Sequence, residues 1–266
     1  MIRTPVCDLL DIQYPIVMGG MAWVGTAEFA AAVSNAGGLG MIGSATLPKE
    51  DLRKEIQKIR ELTDKSFGVN LVPLDHDHSK LRARVEACCE EKVPVVSTAF
   101  SDPKKPIVTM LRDYGITVIG VVPSVRLGKR MVGEGANVLI ASGCEAGGHV
   151  GKISTLPLVP QMVDAVNVPV LAAGGIVDAR GFVAALALGA QGVSLGTRFL
   201  ATKECPVHDK VKEKLLSAND ESTTVTGKIS GTTMRVLKNR LTEEWSAREE
   251  AGATPEEMAN FGLGKY

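Results

Sequence analysis

The chain has no net charge: 30 Lys and Arg balance 30 Asp and Glu over its 266 residues. With neither sign in excess there is no long-range field for nucleic acid or an anionic membrane, so neither is expected as a partner. Any ligand must then be held by local geometry. Long apolar runs are also missing, because those present are short and broken by Gly or Pro, which argues against a membrane span. The opening residues MIRTPVCDLL lack the apolar centre of a signal peptide, and a cytoplasmic protein is expected. Cysteines are few and odd in number (Cys7, Cys88, Cys89, Cys144 and Cys205), with no CxxC and no histidine at metal-ligand spacing. Reduced thiols and no metal site follow. Cys88 and Cys89 lie in a helical pattern and read as structural. Low-complexity tracts are absent, and no GxGxxG opens the first apolar segment.

What is present is an alternation. Eight apolar runs end in Gly, Asn, Ser, Thr or Pro or close to them: Tyr14 to Gly20, Gly40 to Ser44, Phe67 to Leu71, Val93 to Phe100, Thr117 to Pro123, Asn137 to Gly143, Val168 to Gly175 and Gly192 to Thr197. Helical patterns separate them. TAEFAAAVSNAGG has Thr26 as N-cap and Gly37 as stop, and LPKEDLRKEIQKIREL carries Leu52, Ile56, Ile59 and Leu62 on one face. Strands apolar on both faces and separated by helices pair in parallel beneath covering helices. Eight such units fit an α/β fold of (β/α)8 TIM-barrel type, with a doubly wound open sheet as the alternative. Residues 1–200 are assigned to the barrel. Residues 201–266 break the rhythm and read as a helical C-terminal extension over the barrel mouth.

In such a barrel, ligands meet the C-terminal ends of the strands. Those ends carry Gly19, Gly20, Met21 and Ala22, then Asn70, Ser97 and Thr98, Ser124, Gly143 through Gly148, Gly174 and Gly175, and Gly196 and Thr197. Glycines after strands seven and eight let a phosphate approach backbone N–H groups, so a phosphorylated cofactor is expected there. His149 follows Gly147 and Gly148 where the chain crosses the mouth, and it is the candidate proton-moving, catalytic side chain. Glu145 reads as a general base, a hydrogen-bond acceptor for a cofactor or a helix-start anion, and its glycine neighbours favour the cofactor. Cys144 reads as structural. His76, Asp77 and His78 form a polar run without a third ligand, and His208 lacks comparable surroundings.

The stretches PIVMGGMAWVG, AVSNAGGLGMIG, LTDKSFGVNL, CEAGGHVGKIST, VPVLAAGGIVDARG and ALALGAQGVSLGTRFLATKECPVH together resemble the nitronate monooxygenase (2-nitropropane dioxygenase) family, which includes FMN-dependent enoyl-acyl carrier protein reductases. The resemblance runs from about Pro15 to about Trp245. It implies a flavoenzyme barrel with FMN at its mouth: Gly19, Gly20, Met21 and Ala22 against the isoalloxazine, Asn70 reaching the flavin, and Glu145, Gly147 and Gly148 lining the pocket. Gly174, Gly175, Gly196 and Thr197 would hold the phosphate, and His149 matches the active-site histidine. Three functions are compatible: reduction of an enoyl thioester with NADH or NADPH, oxidation of alkyl nitronates with O2, and a catalytically silent flavin-binding barrel. EAGGHVGKIST, GGMAWV and VIGVVPSV look more like the enoyl-reductase branch, whereas RFLATKECPVH looks more like the monooxygenase and quinone-reductase relatives. The reductase is the preferred expectation, as a possible homodimer. Family members continue beyond FGLGKY into a segment that starts the last outer helix, so the barrel is expected to lack that helix and to leave apolar surface beside strands eight and one.

Overall fold

The computed structural model describes residues 2–72, 79–99, 107–229 and 233–262. After α1 (Pro5–Leu10) the chain alternates through β1 (Ile16–Met18), α2 (Ala27–Asn35), β2 (Gly40–Gly43), α3 (Lys49–Leu62), β3 (Phe67–Leu71), α4 (Ser79–Glu90), β4 (Val95–Thr98) and α5 (Ile107–Asp113). It continues through β5 (Thr117–Val122), α6 (Val125–Glu134), β6 (Val138–Ser142), β7 (Gly148–His149), α7 (Thr155–Ala165), β8 (Val170–Ala173), α8 (Ala179–Ala187) and β9 (Gly192–Leu195). Beyond lie α9 (Thr197–Leu200), α10 (Asp209–Leu216), β10 (Thr223–Thr226), β11 (Met234–Leu237), α11 (Arg240–Glu250) and α12 (Pro255–Gly262).

Eight of the strands form one parallel sheet in the order β1-β9-β8-β6-β5-β4-β3-β2. Leu39 joins its two edges, pairing with Val17, while the Met18 amide donates to the Leu39 carbonyl at 2.9 Å and the Leu39 amide to Ile16 at 2.9 Å. The sheet is therefore a barrel, not an open doubly wound sheet, and its strands match the eight apolar runs. Strand alternation divides their side chains between two cores. Val95, Ile119, Val138, Ile140 and Leu171 join an inner cluster with α1, whose Val6, Cys7 and Leu10 plug the lower end. Val96, Val118, Leu139, Val170 and Ala172 meet the covering helices in an outer cluster. This double burial is why the runs are apolar throughout.

Local signals act as their chemistry dictates. The Thr26 hydroxyl accepts from the Phe29 amide at 3.3 Å at the start of α2, and Gly37 follows its end at φ +94°. On α3, Leu52, Ile56 and Ile59 are buried, but Leu62 is exposed because the helix ends there and its last turn leaves the core. Cys88 and Cys89 are both buried on α4, where desolvation pushes the Cys88 thiol well above its ordinary pKa. No helix among the described residues is long and apolar enough to cross a membrane.

β9 leads into the four-residue α9. A groove of about 270 Å³ beside β1 is lined by Tyr14, Ile16, Phe29, Val33 and Phe199 among others. The later segment is helical in α10, α11 and α12, but it also contains the antiparallel hairpin β10–β11, which the sequence reading did not anticipate. TTVT and MRVL are too short to announce strands, and their pairing is completed by β7, far away in sequence.

The α2–β2 contact offers a test of the fold. A Cβ on Gly40 would overlap the Ala30 carbonyl, a backbone group that cannot swing aside. Gly40→Ala is expected to destabilise the protein by about 3 kcal/mol in denaturant unfolding. A midpoint unchanged from wild type would contradict this packing.

Candidate active site

The parallel barrel delivers the predicted residues to one rim. The Gly19 amide donates to the Leu195 carbonyl at 2.8 Å, joining the ends of β1 and β9, and Gly196 Cα is 3.8 Å from where a Gly19 Cβ would lie. A Cβ on Gly20 would overlap the Asn70 side chain at the end of β3. That side chain is fixed in turn, since Asn70 Nδ2 donates to Ser97 Oγ at 2.9 Å and the Ser97 hydroxyl lies 3.5 Å from Met41 Sδ. Met21 and Ala22 begin the turn after β1, closed by the Gly25 amide donating to the Met21 carbonyl at 2.9 Å.

A second cluster joins the loops after β6 and β8. The Thr155 amide, at the start of α7, donates to the Glu145 carboxylate at 3.0 and 3.1 Å, and the Thr155 hydroxyl is 3.0 Å from both Glu145 Oε2 and the Gly174 carbonyl. Of the three roles open to Glu145, the geometry carries the helix-start anion, placed where the positive end of a helix favours it. Gly143 and Gly174 pack against this network, and a Cβ on either would crowd Thr155 Oγ1. Gly174 and Gly175 have φ of +109° and +71°, a left-handed pair open to glycine and strained for other residues.

His149 is placed by a strand. Gly148 and His149 form β7, antiparallel to β11, with His149 opposite Met234 and Gly148 opposite Arg235. The Val150 amide donates to the Thr233 carbonyl at 3.0 Å, and the Thr233 hydroxyl returns a bond to the Val150 carbonyl at 2.7 Å. Arg235 reinforces this sheet: Nε donates to the Cys144 carbonyl at 2.8 Å and Nη1 to Thr223 Oγ1 at 2.9 Å. One guanidinium thus ties the loop after β6 to both strands of the hairpin. Although His149 is exposed as a residue, the protein around its ring withdraws enough water to push its pKa below the ordinary histidine value.

The rim glycines fall into two kinds. Gly20, Gly143 and Gly174 are required by protein packing, since a side chain there would strike the chain itself. Gly196 is different: its φ of −113° lies outside the left-handed region, and a Cβ would meet nothing within 4 Å among the described residues. Gly147 is similar, its one near neighbour among the described residues being Thr197 Oγ1 at 3.9 Å, whereas Gly148 has a left-handed φ of +78° that calls for glycine by itself. Packing among the described residues does not account for Gly147 or Gly196. They leave an open cradle at the junction of the β6 and β9 loops, which fits a bulky, phosphorylated cofactor.

Other candidates are accounted for differently. The Cys144 main chain is used at both ends, its amide donating to the Ile153 carbonyl at 2.9 Å and its carbonyl receiving Arg235, while its thiol lies 3.6 Å from Ser154 Oγ. His208 caps α10, with Nδ1 accepting from the Lys210 amide at 3.2 Å. Ser124 caps α6, accepting from the Leu127 amide at 3.4 Å. His76, Asp77 and His78 lie outside the described residues. Among those described, no cluster of three or more His, Cys, Asp or Glu is placed to hold a metal ion. Arg235 and Thr155 escaped the sequence reading, because Arg235 sits in a strand whose partner is remote and Thr155 resembles any helix-start threonine.

The Glu145 network gives a stability prediction. Glu145→Ala removes the acceptor at the start of α7, which costs about 1 kcal/mol and lowers Tm by about 2–4 °C. An unchanged Tm would mean that water replaces the carboxylate without loss.

Comparison with known proteins bears on the family and the fold. The family described as nitronate monooxygenase matches residues 3–82 and 78–261. A Mycobacterium tuberculosis protein, 5-hydroxy-7a-methyl-1-oxo-octahydro-1H-indene-4-carboxyl-CoA dehydrogenase, is 39% identical over 98% of this chain and 73% of its own length. The solved structure of FabK from Thermotoga maritima superposes with a TM-score of 0.92 at 45% identity, covering 98% of this chain and 82% of that one. A nitroalkane oxidase from Streptomyces ansochromogenes superposes with a TM-score of 0.82 at 29% identity, over 97% of this chain and 87% of its own. Family match, identity and fold coincide over nearly the whole sequence, and the chain belongs to the nitronate monooxygenase family of oxidoreductases.

Proposed function

We propose that this protein is an FMN-dependent oxidoreductase that reduces the carbon–carbon double bond of an enoyl thioester at the expense of NADH or NADPH. The observation that supports the cofactor assignment is the open cradle at Gly147 and Gly196, where side chains are missing although the described protein leaves room for them. Gly174, Gly175, Gly196 and Thr197 would hold the phosphate. Gly19, Gly20, Met21, Ala22 and Asn70 would lie along the ring system. Glu145 contributes by fixing the loops that carry Gly143 and Gly174. When bound, FMN supplies two-electron transfer between the nicotinamide and the β-carbon of the substrate.

The protein's own part is placement and proton handling. His149 stands at the mouth on a backbone-paired strand, suited to give a proton to the α-carbon, and Arg235 holds that strand's loop in register. The thioester reading draws support from the relative named as a carboxyl-CoA dehydrogenase. Nitronate oxidation is the second reading. It is favoured by the similarity to a nitroalkane oxidase, while desolvation of the His149 ring works against its proton-donating form.

Anaerobic mixing of FMN-loaded protein with NADH, NADPH or an alkyl nitronate separates the two. Bleaching of the flavin by reduced nicotinamide is expected, and bleaching by nitronate alone would overturn the reductase assignment. His149→Ala is expected to keep FMN and its absorbance while losing about 10²–10⁴-fold in turnover. The depressed pKa also fixes the sign of the pH dependence. The proton-donating form of His149 declines as pH rises through a value below that of an ordinary histidine, so enoyl reduction falls with rising pH. His149→Gln should flatten that limb of the profile, and a limb that survives the substitution belongs to another group.

A further inference from the structure

The loop after β1 carries a backbone conformation that its sequence does not favour. Three described residues other than glycine have positive φ: Asp11, Trp23 and Lys92. Asp11 caps the end of α1 and Lys92 follows α4, helix ends where a left-handed residue is the usual terminator. Trp23 is at no helix end and is the bulkiest of the three, with φ +61°. A large side chain in this region costs about 1–3 kcal/mol and persists only where the surroundings over-determine it.

Those surroundings are specific. The turn is closed by the bond from the Gly25 amide to the Met21 carbonyl, and it is seated against β2 by two residues without side chains. A Cβ on Gly43 would overlap the Met21 carbonyl, and one on Gly25 would lie 2.7 Å from the Gly43 amide nitrogen. The strained turn holds its side chain out of the core: Trp23 is 66% exposed, whereas the other tryptophan, Trp245, is 5% exposed. No charged residue occurs from Met18 to Ala27. On the β6 side of the mouth stand His149 and the guanidinium of Arg235. Among the described residues, the loop after β1 therefore offers an exposed aromatic side chain in an uncharged stretch, and the loop after β6 a polar surface.

We propose that Trp23 is a substrate-recognition residue whose indole supplies an apolar wall for the acyl portion of a thioester, and that it sets the preference for acyl length. The inference rests on the thioester reading above. An uncharged wall offers burial and dispersion but no partner for phosphate or carboxylate, so it selects the apolar end of such a substrate. A small nitronate would gain little from it.

Saturated pantetheine thioesters of short, medium and long acyl chain, titrated into the FMN-loaded protein, test this without turnover. Binding is followed by calorimetry and by fluorescence of the solvent-exposed indole, with buried Trp245 as an internal reference. The wild type is expected to bind about two- to fourfold tighter for each methylene that reaches the indole. Trp23→Phe should keep that dependence. Trp23→Gly should abolish it while leaving Tm equal or higher, because glycine accepts φ +61° without strain. Length dependence retained in Trp23→Gly, or absent from the wild type, overturns the proposal. So does a fall in Tm with binding lost equally at every length, which would make Trp23 a structural anchor. If nitronate alone bleaches the flavin but Trp23-dependent length preference persists, the reaction assignment fails and the recognition role stands.

Discussion

Closure of the barrel at Leu39 is the constraint on which the rest depends. In an open parallel sheet, β1 and β2 would each keep an unpaired edge, and their carboxyl ends would lie apart from those of β6 and β8. Pairing of Leu39 with Val17 brings all eight ends onto one rim. Gly19 can then reach Leu195, and the loop after β6 can share Thr155 with the loop after β8. The contact is made of backbone hydrogen bonds inside an apolar core, where they are shielded from water and costly to leave unmade.

The rim differs around its circumference in what its residues are for. Between β1 and β4 the groups are held by protein contacts: Gly20 on Asn70, Asn70 on Ser97, Ser97 on Met41. Between β6 and β9 the Glu145–Thr155 network fixes the loops while Gly147 and Gly196 stay open. Tight packing on one arc and open backbone on the other suit a site in which a ligand is oriented by rigid walls and admitted from one direction.

Much of this was legible in the sequence because parallel strands buried on both faces write themselves as uninterrupted apolar runs. VPVVSTAF and NVLIASG could be placed without any partner known, and Thr26 announced α2 through a hydroxyl that needs only the next turn. Glycine pairs marked the rim, but sequence could not separate Gly143, needed for packing on Thr155, from Gly196, which meets nothing. Leu62 continued a helical face one step past the point where the core ends. The hairpin and Arg235 were hidden because their partners are remote, the guanidinium reaching a carbonyl 91 residues upstream. In the tail, Trp245 is buried, and its ring lies 5.7 Å from that of Phe261 in a tilted pair.

Because β7 joins β11 through main-chain groups, the backbone beneath His149 is held by atoms common to almost every amino acid. Side chains along the hairpin are therefore largely decoupled from the job of holding the imidazole, apart from the Arg235 brace and the Thr233 hydroxyl, which donates to the Val150 carbonyl. Substitutions at Met234 or Val236 can change the surface of the hairpin while the backbone of His149 keeps its pairing. The hairpin is a part of the architecture whose side chains are free to vary, as long as proline, which lacks an amide hydrogen, stays out of the paired positions.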